Sequence, residues 1–177
     1  MIVSAGKIES FDFAFSIGIG LIDSAINLTR LALFDKPDFL LFIGSAGSYG
    51  EYDIFDIVES RGATQIELSF IENRSYTPID NALISEGLNV SHETLINSSN
   101  YITKDSRYSN FFLENRIGLE NMEFFSLLRV AKEFNIPAGG IFVVTNYCDK
   151  DAHKEFKANH KRSMNLLKEY IKERFSI

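Results

Sequence analysis

From Phe11 the chain alternates without a break. Phe11, Phe13, Phe15, Ile17 and Ile19 point one way, and Asp12, Ala14, Ser16, Gly18 and Gly20 the other. That period predicts a strand with one buried face, ending at Gly18-Ile19-Gly20. Residues 21–34 then place apolar side chains at 21, 25, 28 and 32, which is helical spacing, and Lys36-Pro37-Asp38 stops the helix. Phe39-Leu40-Leu41-Phe42-Ile43 is apolar throughout and too short for a helix, the mark of a parallel strand covered on both faces. A glycine-rich loop is expected over residues 44–50, followed by a strand over 54–58.

Residues 61–95 carry short β-like pieces, Pro78 and many Asn and Ser residues, so loops and edge strands are expected there. Residues 94–100 read as a strand running into a polar turn, and 105–114 as a short helix. A firmer helix starts near Asn121, with Phe124, Leu127, Leu128, Ala131 and Phe134 on one stripe, and breaks before Pro137. Ile141-Phe142-Val143-Val144 is a second buried strand. Asp151 is placed to cap a last helix reaching about Arg174. Strands alternating with helices predict a three-layer α/β/α fold with a mixed central sheet. No repeat or linker interrupts the chain, so 1–177 reads as a single domain.

Composition narrows the functional classes. The formal charge is −6 and the pI is near 5.1, against the basic surface that nucleic-acid binding requires. A small molecule fits this balance better. The single cysteine, Cys148, allows no internal disulfide, and no segment is apolar over the length of a bilayer. With neither a leader nor a membrane span in the pattern, a cytoplasmic protein is expected.

Several residues carry candidate chemistry. The Gly44–Gly50 stretch lacks both the G-x-G-x-x-G order and the Gly-Lys-Ser/Thr ending, so it is neither a dinucleotide turn nor a P-loop. It still follows a buried strand, where open α/β sheets bind ligands. Glu120 and Glu123 begin a helix that is apolar almost all round, and a carboxylate there needs a partner or a polar ligand. Asp149 ends the second buried strand, where partial desolvation would keep a carboxyl protonated, as a general acid needs; a turn or capping role is its alternative. Asp149, Asp151 and His153 match no established metal spacing, and no metal is expected.

Taken in order, these segments resemble the superfamily of purine nucleoside phosphorylases and methylthioadenosine/S-adenosylhomocysteine nucleosidases. Gly18-Ile19-Gly20 is similar to its glycine turn, and Lys36-Pro37-Asp38 leading to Gly44-Ser45-Ala46-Gly47 to its central strand and loop. Asp53 to Val58 resembles its Gly-Asp-Ile-Val strand, and Ser98-Ser99-Asn100-Tyr101-Ile102 its base-stacking segment. Asn121-Met122-Glu123 stands where the family has Glu-Met-Glu, and Asp149 with Asp151-Ala152-His153 where it has a Ser-Asp pair and the last helix.

The resemblance implies cleavage of the N-glycosidic bond of a purine nucleoside. Asp149 would protonate or hydrogen-bond the base at N7 and Glu123 would hold the ribose hydroxyls. Asn121 and Met122 would lie at the sugar, Tyr101 or Ile102 would cover the base, and Ser45, Ala46 and Gly47 would line the sugar or nucleophile side. No cofactor is implied, and phosphate is a co-substrate only if the reaction is phosphorolysis. Phe42 stands where hexameric-type phosphorylases carry a phosphate-binding Arg, which argues against that. The family's first strand, whose loop carries the water-activating Glu of nucleosidases, is missing from the pattern; Glu9 is a candidate substitute, not an expected one. A member that binds a nucleoside or base without turnover is the alternative. A sheet lacking its first strand predicts a homodimer or larger assembly that covers the edge.

Overall fold

The computed structural model describes residues 1–176. In chain order its elements are β1 (Ile2–Ser4), β2 (Phe15–Ser16), α1 (Gly20–Phe34), β3 (Leu40–Ser48), β4 (Ile57–Ser60), β5 (Gly62–Thr64), α2 (Leu68–Ile71) and β6 (Ala82–Ile84). They continue as β7 (Leu95–Ser98), a 3-10 turn (Ser106–Tyr108), α3 (Ser109–Glu114), β8 (Ile117–Asn121), α4 (Phe124–Glu133), β9 (Ala138–Tyr147) and α5 (Ala152–Phe175).

The two apolar runs are the heart of the sheet. β3 and β9 pair in parallel along their whole length, from Leu40 opposite Ala138 to Ser48 opposite Tyr147. Successive side chains leave opposite faces of a strand. Leu40 and Phe42 therefore join a core with Leu28 and Leu31 of α1 and Phe124 and Leu127 of α4. Leu41 and Ile43 join another with Leu167 and Ile171 of α5. This is the expected three-layer α/β/α arrangement, and the sheet is mixed: β1 and β9 run parallel to β3, and β8 runs antiparallel to it.

Four expectations change. The alternating segment is a strand only at Phe15–Ser16. Residues 12–14 turn back instead, with the Ala14 N–H on the Phe11 carbonyl (3.2 Å), so Phe11 and Phe13 pack on each other. The missing first strand is in fact present: Ile2–Ser4 lies between β2 and β3, parallel to both. Three residues are too few for periodicity to reveal. The glycine-rich loop is not a loop, because β3 runs through Gly44 to Ser48 with β9 on one side and β8 on the other. Last, Asn121 ends β8, and α4 begins at Phe124.

The sheet path ends on β2 and β6, strands of two and three residues. Edges that short are blunted already, so the open edge invoked for self-association is not there. Among the described residues, no helix is long and apolar enough to cross a membrane.

Candidate active site

A pocket of about 260 Å³ opens at the C-terminal ends of β1, β3 and β9. Glycine makes the room. A Cβ on Gly44 would lie 2.8 Å from Oε2 of Glu9, and one on Gly47 would lie 3.0 Å from both Nδ2 of Asn146 and Sγ of Cys148. Ser45, Ala46 and Gly47 line the floor. The loop-like glycine signal thus marks a strand that side chains from its neighbours approach closely.

Glu123 sits on the wall and is buried. Its Oε1 accepts the N–H of Gly20 (2.9 Å), and its Oε2 accepts Asn121 Nδ2 (2.7 Å) and the N–H of Met122 (3.2 Å). Gly20 is the first residue of α1, so Glu123 satisfies an N–H that the helix itself leaves free, at its positive end. Loss of water dominates all the same. Burial pushes the carboxyl up to about 7, the Gly20 N–H pulls it back, and the charge of Glu9 adds to the rise.

Asn121 has a different task from its neighbour. Its Oδ1 accepts the N–H groups of Glu123 (3.0 Å) and Phe124 (2.8 Å), and Ser98 Oγ accepts that of Phe125 (3.0 Å). Asn121 and Ser98 therefore cap α4 in the manner of an N-cap acceptor. Asn121 borders the pocket, but its amide is spent on the backbone and on Glu123. Met122 is half-buried on the same wall.

The loop after β1 brings in Glu9, which is half-buried and lines the same pocket. Its Oε2 accepts the Ser45 N–H (3.2 Å), and its Oε1 accepts the Ser45 hydroxyl in a short contact. Glu9 is a pocket residue that periodicity missed. Its signal lay in the Ala5-Gly6 turn after a three-residue strand, which brings it back over β3.

At the other end of the pocket, Asp149 is absent from the wall. Its Oδ1 accepts the Asp151 N–H (2.8 Å) and its carbonyl accepts that of Ala152 (3.1 Å), so it shapes the turn into α5. Asp151 occupies the N-cap position, but its side chain makes no cap bond. The cause lies in β9. Opposite β3 its register slips between Ala46, which faces Val144, and Gly47, which faces Asn146, leaving Thr145 as an extra residue. Such a bulge re-aims side chains. Thr145 and Asn146 both line the pocket, and the strand carries Asp149 past it.

Tyr101 and Ile102 stand at the mouth, largely exposed, with Ile8 and Ile19 beside them. Ala152, His153 and Phe156 from the start of α5 complete the rim. Phe42 is no part of the site; it is buried between Phe124 and Phe142, with ring centroids 6.3 and 5.6 Å away. Among the described residues, no Lys or Arg lines the pocket, and no group of three His, Cys, Asp or Glu is placed to hold a metal.

The fold has clear counterparts. A Helicobacter pylori 5′-methylthioadenosine/S-adenosylhomocysteine nucleosidase mutant, holding 5′-methylthioadenosine in its active site, superposes with a TM-score of 0.82 at 16% identity, over 99% of this chain and 96% of that one. A futalosine hydrolase mutant of the same organism gives 0.81 at 19% identity, over 97% and 95%. A Neisseria meningitidis 5′-methylthioadenosine/S-adenosylhomocysteine nucleosidase in complex with methylthio-immucillin-A gives 0.76 at 15% identity, over 94% and 93%. No curated protein matches the sequence at a significant level. The family model described as the phosphorylase superfamily matches residues 3–175, nearly the whole chain, and the chain belongs to that superfamily.

Proposed function

We propose that this protein hydrolyses the N-glycosidic bond of a purine nucleoside. The observation that carries the reading is the Glu9–Ser45 pair set in one pocket with Glu123, with no lining Lys or Arg among the described residues. A phosphate nucleophile brings negative charge and needs cationic or N–H partners; water needs a base. Glu9, fixed by Ser45, takes a proton from water as its oxygen attacks the anomeric carbon and the bond to the base breaks. Glu123 holds the ribose hydroxyls, and Met122 packs on the sugar face. The amide of Asn146 donates to the base as negative charge develops on it. The departing base takes up one proton and Glu9 gives one up, so the sum is nucleoside and water to free sugar and free base.

The structural neighbours support this reading, since nucleosidases and a hydrolase share the fold. The alternative is a binding protein without turnover; Glu9, held by Ser45 inside the pocket where a base for water would act, favours hydrolysis over it. The exposed apolar rim of Ile8, Ile19, Tyr101 and Ile102 is part of the same proposal: a second copy covers it, and sedimentation should give a dimer mass. The deciding assay is base release from inosine, adenosine, methylthioadenosine and S-adenosylhomocysteine, with and without phosphate. Release that is independent of phosphate is expected. Release only with phosphate would make the protein a phosphorylase, and binding without release a receptor.

A further inference from the structure

Glu120 has no task in that reaction, although it borders the pocket and is only 7% exposed. Its carboxyl has no room for a ligand. The Thr103 N–H reaches Oε1 (2.8 Å) and the Tyr49 hydroxyl reaches Oε2 (2.8 Å). The Thr103 hydroxyl and the Cys148 thiol donate to it as well. A carboxylate offers about four acceptor sites, so this one is full. Burying such a group is costly, and these donors offset the cost. Two of the four belong to one residue, Thr103.

Thr103 is the inner end of a strap. Among the described residues, 100–104 belong to no helix or strand and make no backbone–backbone hydrogen bond. Side chains hold the strap instead. At one end Asn100 Oδ1 accepts the Leu21 N–H (2.8 Å), and at the other Glu120 accepts both donors of Thr103. Exposure follows these anchors: Tyr101 is 79% and Ile102 54% exposed at the pocket mouth, and Thr103 only 5%. The inner anchor is firm. Glu120 is paired with Gly47 of β3, and Tyr49 is stacked on Phe112 at 4.1 Å between centroids. We infer that Glu120 is a positioning residue for the base: by holding Thr103 it keeps Tyr101 and Ile102 over the pocket mouth, without touching the ligand itself.

The anchor acts through order. With Thr103 released, the strap is fixed only at Asn100, and closing it over a base costs conformational entropy at the moment of binding. A cover that packs on the base is felt alike before and during bond breaking. Its loss therefore raises KM and leaves kcat in place.

This inference rests on the nucleosidase reading, in which Tyr101 or Ile102 covers the base, and the two fail differently. A double-mutant cycle tests it, with calorimetry on free hypoxanthine and adenine beside KM and kcat for inosine and adenosine. Glu120→Ala should weaken base binding and raise KM by about tenfold, with kcat within about threefold of wild type. Removing the cover, Tyr101→Ala with Ile102→Ala, should do the same, and adding Glu120→Ala to it should change little further. Glu120→Gln, whose carbonyl oxygen still accepts from Thr103, should restore most of the affinity. A Glu120 that is merely structural lowers the unfolding midpoint without moving KM, which overturns the inference. Losses that multiply across the cycle overturn it too, because Glu120 then acts on the base by itself, and so does a base held as tightly without the cover. If Glu120→Ala does not fold, Thr103→Val, which loses only the hydroxyl, takes its place. A loss of about threefold that vanishes without the cover is then expected, and no loss overturns the inference. Any of the overturning results with base still released leaves the nucleosidase standing. No purine bound and no nucleoside cleaved by the wild type sinks the nucleosidase reading, and this one with it.

Discussion

The backbone N–H of Gly20 donates to Oε1 of Glu123 at 2.9 Å, tying the first turn of α1 to the residue that precedes α4. The next N–H, of Leu21, goes to Oδ1 of Asn100 (2.8 Å), and Ser126 Oγ donates to the Leu21 carbonyl (2.7 Å). The end of α1 is thus held by side chains from the pocket side of the sheet. Gly20 has φ +84°, and a Cβ there would lie 2.7 Å from the same Asn100 oxygen. Gly20→Ala should cost about 1–2 kcal/mol from the backbone conformation alone, with more from displacing Asn100. Urea unfolding measures the loss. A variant as stable as the wild type would mean that the α1 terminus is not fixed as described.

Glu123 makes stability depend on pH with a definite sign. Its carboxyl titrates near 7 in the folded chain, against an ordinary value of 4.5. Between those values the folded state holds more protons than the unfolded one, so stability falls as pH rises from about 4.5 to about 7 and then levels. The full span corresponds to about 3 kcal/mol as an upper bound. Glu123→Gln removes the titrating proton and should flatten that slope while abolishing ribose binding. Melting temperatures across this range check the first effect, and a slope unchanged in the variant would place the titration elsewhere.

What the sequence made legible was what long patterns record. Leu40 to Ile43 and Ile141 to Val144 are buried on both faces, and continuous apolar runs say so directly. Glu123 was visible because a carboxylate among Met122, Phe124 and Phe125 conflicts with its surroundings, and such conflicts collect at sites. Short elements left no such trace. β1 has three residues, so its strand, and with it the reach of Glu9, could not be read from periodicity. The glycines of β3 carried the composition of a loop because a turn and a closely approached strand call for the same residue. Asp149 lies off the pocket wall, after a strand in which one extra residue, Thr145, shifts every later side chain relative to β3. A bulge has no composition of its own.

Glu9 carries the nucleophile half of the proposed reaction, and its removal separates binding from turnover. Glu9→Gln keeps the shape and still accepts from Ser45, but no longer takes a proton. Base release should drop by about two to four orders of magnitude while nucleoside affinity changes little. Ser45→Ala should cost less, since it loosens Glu9 without removing it. Single-turnover release and equilibrium binding on the same variants distinguish the two roles. Equal losses in both would make Glu9 a binding residue only.

Asp149 and Asn146 make opposite predictions, and the bulge in β9 is the reason. The Asp149 carboxylate is committed to the Asp151 N–H, an acceptor role that an asparagine oxygen fills as well. Asp149→Asn should therefore leave base release within about threefold of wild type, the usual range for a change away from special contacts. Asn146 is buried on the pocket wall, with its Oδ1 accepting Thr145 Oγ1 (2.9 Å) and its Nδ2 donating one hydrogen to the Tyr147 carbonyl (3.0 Å). The second hydrogen on Nδ2 is free for the base. Asn146→Ala should lower the rate of release by about 100- to 1,000-fold, as loss of one donor to a developing charge does elsewhere. Asn146→Asp turns that donor into an acceptor and should be no better. The reverse ranking, with Asp149→Asn inactive and Asn146→Ala active, would mean that the turn before α5 rearranges when a nucleoside binds and brings Asp149 to the base.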